Sequence, residues 1–311
     1  MRNIRRCLMV VLALGLHSVA GASETSSTLE PVADGVFVAY GKHEQISKAN
    51  HGAIGNTGIV IGETSVAVID PGGNLHSGLL LRRALRNLTN LPVKFVILTH
   101  FHPDHVAGAA AFTDTAAIMA HENYPRAMLQ RAQFYLDRFA EVFTGLPADV
   151  FITPDRLVHI GSEQRIDLGQ RILTIAAHPV AHTDNDLTVH DSSTNTLFAG
   201  DLIFAQRTPS IDGSLAGWQS VTTKLRTQSF GMTVPGHGKA AKFETLEAEQ
   251  TRYLDQLTDY VRKMIDQGVA LSDVLQMHDD ATSAARESEW LLYSTQHATN
   301  LSKAYTELEW E

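Results

Sequence analysis

Cysteine is almost missing from this 311-residue chain; Cys7 is the only one. It lies in the first 22 residues, M-R-N-I-R-R-C-L-M-V-V-L-A-L-G-L-H-S-V-A-G-A. Their basic start, short apolar stretch and small-residue exit read as a secretory signal peptide cleaved after Ala22. The apolar stretch is too short for a membrane span, and no span is expected after cleavage. A chain that loses Cys7 has no disulfide and no thiolate, so any metal must be held by histidine and carboxylate. Basic runs are missing too. Removing Arg2, Arg5 and Arg6 with the leader takes away three positive charges and moves the formal charge from −9 to −12. An acidic exported chain without a basic patch suits neither nucleic acid nor an anionic lipid surface. Low-complexity tracts, long linkers and solenoid repeats are also absent. With 44% hydrophobic and 19% charged residues, the composition is that of an ordinary globular protein.

Against those absences stands one dense stretch, V-K-F-V-I-L-T-H-F-H-P-D-H-V-A-G, from Val93 to Gly108. Val93 to Leu98 is a β-branched apolar run, the pattern of a buried strand. His100, His102, Asp104 and His105 follow, and then a small-residue run from Val106 to Phe112 suited to a helix start. Residues two apart in extended chain point the same way, so His100 and His102 can grip one ion together. Pro103 breaks the extended chain, and the turn it sets can aim Asp104 and His105 at a second point a few ångström off. Three imidazoles and a carboxylate at a strand end suit zinc. A lone histidine pair could cap a helix, but four such residues in six positions would each need burial partners of their own.

The rest of the chain repeats this grammar. Ser23 to Glu30 is polar and reads as a flexible leader. Short strands are expected at Val36–Tyr40, Gly58–Ile61 and Val66–Ile69, the last ending in Asp70. As a lone strand-end aspartate, Asp70 is expected to hold the histidine loop rather than bind metal directly. Leu75 to Leu88 reads as an amphipathic helix. Ala116 to Ala120 is a strand, followed by a long helix from about Glu122 to Phe143. The aromatic stripe of that helix, Phe134 and Tyr135 included, suits core packing, and the helix is a candidate roof. Leu157–Ile160, Arg165–Leu168 and Arg171–Ala176 are expected as meander strands. His182 lies on the loop before the strand Leu187–His190. Thr196–Phe198 ends in A-G-D, placing Asp201 at a strand end, and Met232–Val234 ends in P-G-H-G with His237 at its tip. Trp218–Arg226 reads as a short helix, and helices are expected at Thr245–Gln267, Leu271–Met277 and Arg286–Glu307. His51 and His178 are spare polar side chains with no assigned role.

H-F-H-P-D-H, His182, Asp201 in A-G-D and His237 in P-G-H-G, in that order after Asp70, resemble the five motifs of the metallo-β-lactamase superfamily. The match spans roughly residues 32 to 238. It implies an α/β fold, an αββα four-layer sandwich with the metals at one edge of the sheets and extra C-terminal helices. A-H-T-D-N-D-L-T-V, P-S-I-D-G-S-L-A-G-W, V-P-G-H-G and the ending E-L-E-W-E resemble one exported branch, the quinoprotein relay system zinc metallohydrolases related to SoxH-like proteins. The implied division is a signal peptide at 1–22, a leader at 23–30, a metallohydrolase domain at 31–243 and a helical extension at 244–311 packed on it. Carried over position by position, His100, His102 and His182 hold one Zn²⁺. Asp104, His105 and His237 hold the other, with Asp201 bridging. Asp104 and Asp201, with a shared hydroxide, remove most of the charge that two zinc ions bring.

The expected chemistry is hydrolysis of an ester, thioester, lactone or amide by a hydroxide shared between the metals and oriented by Asp104. The resemblance also implies a periplasmic location and a small-molecule substrate. It adds a link to pyrroloquinoline-quinone-dependent alcohol oxidation, with a periplasmic quinoprotein dehydrogenase or cytochrome as partner. Other expectations stay open: a β-lactamase; an iron-dependent persulfide dioxygenase-like enzyme using only His100, His102, His182 and Asp201; or an accessory protein with a structural metal.

Overall fold

The structure is a computed structural model that describes residues 28–145, 150–279 and 289–310. The expected signal peptide, and the leader as far as residue 27, lie outside the described residues. Two sheets carry the chain. The first holds β1 (Glu30–Ala33), β2 (Val36–Ala39), β3 (Thr57–Ile61), β4 (Val66–Ile69), β5 (Val93–Ile97), β6 (Ala117–His121) and β7 (Arg156–Val158), in that spatial order. Its first four strands are antiparallel, and from β4 onward neighbours are parallel. The second sheet holds β8 (Glu163–Asp167), β9 (Ile172–Ala177), β10 (Leu187–Asp191), β11 (Thr196–Phe204), β12 (Met232–His237) and β13 (Ala241–Lys242), also in chain order across the sheet.

Alternation along the strands explains why the sheets stack. In β4, Val66 and Val68 face one core while Ala67 and Ile69 face another, so a V-A-V-I run with no polar residue is buried on both sides. In β6, Ile118 and Ala120 split from Met119 in the same way. The central core joins Val60, Ile69, Ile97 and Met119 of the first sheet to Leu173, Ile175, Val189 and Phe198 of the second. The outer face of the first sheet is covered by α1 (Leu75–Arg86), a 3₁₀ turn at Ala107–Phe112 and α3 (Tyr124–Arg138). That of the second is covered by α5 (Leu215–Arg226), α6 (Phe243–Asp266) and α8 (Tyr293–Leu308), with α7 (Leu271–Asp279) beside them. The result is the expected αββα sandwich with added C-terminal helices.

Several elements depart from expectation. Glu30 is not leader: it opens β1, pairs with Val38 and forms an ion pair with Lys239 at 3.1 Å. Asp104 and His105 sit not in a turn but on α2 (Pro103–Val106), with Pro103 at its first position. The long helix expected from Glu122 breaks at Phe139 (φ −118°, ψ 35°) into α3 and α4 (Ala140–Phe143), and Phe134 is 59% exposed rather than core. β7 is no meander partner of β8; it joins the first sheet beside β6. β11 runs through Asp201 to Phe204, so Asp201 lies inside a long strand, at an irregular stretch of its pairing with β12. The last helix starts at Tyr293; the expected start near Arg286 lies outside the described residues. Among the described residues no helix is long and apolar enough to cross a membrane.

Candidate metal centre

Five chain segments meet where the strands of both sheets end. Cross-sheet bonds fasten them there: Leu187 N–H donates to the Thr99 carbonyl at 2.7 Å, and Asn56 N–H to the Gly236 carbonyl at 2.7 Å. Two clusters of side chains converge on this edge. His100, His102, His182 and Asp201 offer four ligand atoms lying within 4.8 Å of one another, and Asp104, His105 and His237 offer three more. All seven expected positions are therefore brought together, and all but His102 are buried. Asp201 stands between the groups. One carboxylate oxygen, Oδ2, lies 3.4 Å from His182 Nε2 and 3.3 Å from His237 Nε2, while Oδ1 lies 3.2 Å from His105 Nε2.

Hydrogen bonds on the outer side of each ring settle which nitrogen faces inward. His182 Nδ1–H donates to the Ser210 carbonyl at 2.7 Å, and His237 Nδ1–H to the Ile54 carbonyl at 2.8 Å, so each ring turns its Nε2 inward. His105 Nδ1–H donates to Asp70 Oδ2 at 2.9 Å. Thr99 gives its only hydroxyl proton to the same oxygen at 2.7 Å, so it can only accept from His100 Nδ1–H, at 3.0 Å. His102 is turned the other way: Nε2–H donates to Asp212 Oδ2 at 3.1 Å, and Nδ1 faces His100 and His182. Asp70 thus orients His105 directly and His100 through Thr99, from a backbone held at φ 52°, a strained conformation for aspartate. A carboxylate spent on those two rings has no oxygen turned towards the ligand cluster.

The donor set fits metal. Inner nitrogens of His100 and His102 stand 3.0 Å apart, and those of His105 and His237 3.4 Å apart. With only the outer nitrogens protonated, each contact sets lone pair against lone pair, so each pair calls for a shared cation, a proton or a metal. Among the described residues Asp201 Oδ1 is buried and has no hydrogen-bond partner. Such an arrangement is costly unless a cation fills it. Ionisation says the same. Burial drives His182 down to about 4 and, aided by the neighbouring His105, drives His100 well below its ordinary value, so both are neutral ligands at pH 7. Burial also acts to lower His105, but the carboxylates of Asp201, Asp104 and Asp70 outweigh it and hold His105 well above the ordinary range. The anionic surroundings that favour a proton on that ring favour a metal cation in the proton's place. Burial acts to raise Asp201, and His237, His105 and His100 overcome it, holding the carboxylate well below its ordinary value. Space is equally specific: a Cβ on Gly55 would meet the His105 ring at 2.9 Å, and one on Gly236 would run into Asp201 Oδ1.

Several supports were not expected from the sequence. Asp212, in P-S-I-D-G, has no role assigned from the sequence, yet it binds His102 and also lies 3.3 Å from Arg131 Nη1. Arg131 in turn stacks over Phe101 at 4.7 Å, so α3 does border the site. The carbonyls of Ser210 and Ile54 leave no sequence signal, because every residue has one. The spare histidines stay outside: His178 is buried with Nε2 on Thr188 Oγ1 at 2.8 Å, and the His51 ring packs on His76 at 4.4 Å.

Comparison with known proteins agrees with this geometry. The profile of the Metallo-beta-lactamase superfamily matches residues 52–245. A metallo-beta-lactamase structure from Hirschia baltica aligns at 19% identity and TM-score 0.58, over 73% of this chain and 96% of that one. One from Pontibacter korlensis aligns at 20% identity and TM-score 0.56, over 73% and 98%. The stereoselective inverting sec-alkylsulfatase Pisa1 from Pseudomonas sp. aligns at 15% identity and TM-score 0.68, over 91% of this chain and 50% of that one. At these identities the likeness speaks for the fold alone. No curated protein sequence matches the chain.

Proposed function

The chain belongs to the metallo-beta-lactamase superfamily and is a metal-dependent hydrolase; we propose that it is a dinuclear zinc enzyme cleaving an ester, thioester, lactone or amide bond. The observation that carries this reading is the set of five histidines with outer nitrogens tied and inner nitrogens converging with Asp104 and Asp201. Two zinc ions bound there would supply a nucleophile at neutral pH and polarise the scissile group. His100, His102, His182 and Asp201 would hold one, and Asp104, His105 and His237 the other, with Asp201 reaching both. Asp104 Oδ2, 3.4 Å from His237 Nε2, is the carboxylate placed to orient the attacking water and take its proton. His105 and His237, locked by Asp70 and the Ile54 carbonyl, keep their inner nitrogens aimed without needing to reorganise as charge develops.

We further propose export to the periplasm, resting on the first 22 residues. A place beside a quinoprotein dehydrogenase or cytochrome in pyrroloquinoline-quinone-dependent alcohol oxidation rests on the motif resemblance to the SoxH-like branch. The mononuclear dioxygenase reading gains no support from the site, since Asp104, His105 and His237 are buried and mutually close. The test is hydrolysis by the zinc-loaded protein across ester, thioester, lactone, sulfate-ester and β-lactam substrates, with and without chelator. Chelator-sensitive turnover on the acyl substrates is expected. Turnover confined to β-lactams would replace the reading with a lactamase, and oxygen uptake with one iron per chain would replace it with a dioxygenase.

A further inference from the structure

The superfamily profile ends at residue 245, yet α8 lies against the metal edge. Asn300, Lys303 and Glu307 occur at spacings of three and four residues, which puts them on one face of that helix. That face follows the loop from Pro209 to Ala216 like a ruler. Asn300 Nδ2 donates to the Pro209 carbonyl at 2.7 Å, and its Oδ1 accepts from Ile211 N–H at 3.0 Å. Lys303 Nζ reaches the Asp212 carbonyl at 3.4 Å and Asp212 Oδ1 at 3.7 Å. Glu307 accepts from Ser214 Oγ at 2.8 Å, Leu215 N–H at 2.7 Å and Ala216 N–H at 3.0 Å, at the start of α5. Asn300 is itself fully buried and fixed by the Tyr253 hydroxyl of α6 at 2.7 Å. The loop so held carries the Ser210 carbonyl on His182 and the Asp212 carboxylate on His102.

Resting on the dinuclear reading above, we infer that the C-terminal helix is a working part of the metal centre. Asn300, Lys303 and Glu307 are positioning residues that set the affinity of the first ion, through the 209–216 loop, and leave the second alone. Outer partners of metal-binding histidines typically change metal affinity 10- to 100-fold. The second group depends instead on Asp70 and Ile54, neither of which these three residues touch.

The experiment is zinc affinity by competition with a chelator in two single-group backgrounds. In His237→Ala, which keeps the first group, adding Asn300→Ala or Glu307→Ala weakens binding several-fold, less than the roughly 10- to 100-fold that losing a direct partner such as Asp212 would cost. Lys303→Met, at an exposed position, weakens it up to about fivefold. In His182→Ala, which keeps the second group, the same changes leave affinity unaltered. Glu307→Gln retains one acceptor oxygen, so it is milder and serves if the alanine variants do not fold. Equal weakening in both backgrounds, or none in either, overturns the inference while leaving a zinc-binding, hydrolytic parent untouched. A parent that binds no zinc brings down the dinuclear reading and this inference together.

Discussion

His105 and His237 lean on groups from the front of the chain, the Asp70 carboxylate and the Ile54 carbonyl, whereas His102 and His182 lean on a loop that a C-terminal helix holds in place. Apart from His100, which Asp70 reaches through Thr99, the two halves of one centre thus depend on regions at opposite ends of the described chain, around Ile54 on one side and Asn300 on the other. Local support makes the second group self-sufficient within the family core. Remote support makes the first group answer to whatever α8 does. Asp201 is the one ligand shared between them, and it sits on a strand of the second sheet that is buried along its whole length.

The comparison breaks most sharply at the ligands. His102→Ala should remove the first ion and lower hydrolysis by more than the 10- to 100-fold expected of outer partners, measured as kcat/KM under zinc saturation. Next comes the wall behind them. Trp218 is fully buried, with its ring 5.2 Å from His182 and Nε1–H on the Leu202 carbonyl at 2.9 Å. Trp218→Ala should cost about 3–5 kcal/mol in denaturant unfolding of the metal-free protein, and Trp218→Phe far less. A matched pair then separates the halves. Asp70→Asn should weaken chiefly the second ion and Asp212→Asn only the first, each by about 10- to 100-fold in chelator competition. If Asp212→Asn loosened both ions alike, the division of labour would be wrong.

The smallest effect is a pH slope from outside the centre. Burial, with Lys224 and His121 nearby, drives His178 down to about 4. Its folded pKa lies below the unfolded 6.5, so the neutral form is favoured by folding. The contribution is fully present above about pH 6.5 and is lost as pH falls towards 4. In metal-free protein His178→Asn, which keeps a donor for Thr188, should flatten that slope in unfolding measurements between about pH 7 and 4.

Much of the site was legible because its ligands cluster locally or stand after runs buried on both faces. H-F-H-P-D-H announces itself within six residues, and Val66–Ile69 and Val93–Ile97 carry no polar residue that would confuse them with surface strands, Lys94 excepted. What was missed depends on partners remote in sequence. Nothing near Asp201 shows that β11 continues past it, since that extension is fixed by pairing with β12. Three residues, Arg156 to Val158, are too few to reveal which sheet they join. Asp212 looks like any aspartate before glycine until His102 is placed against it, and carbonyl partners such as Ser210 have no residue type to betray them.

The most direct measurement is the number of zinc ions bound per chain at saturation in the parent, His182→Ala and His237→Ala proteins. Two are expected in the parent and one in each variant, with the retained ion in different groups. A parent that saturates with a single ion, or variants that lose both together, would contradict the dinuclear reading.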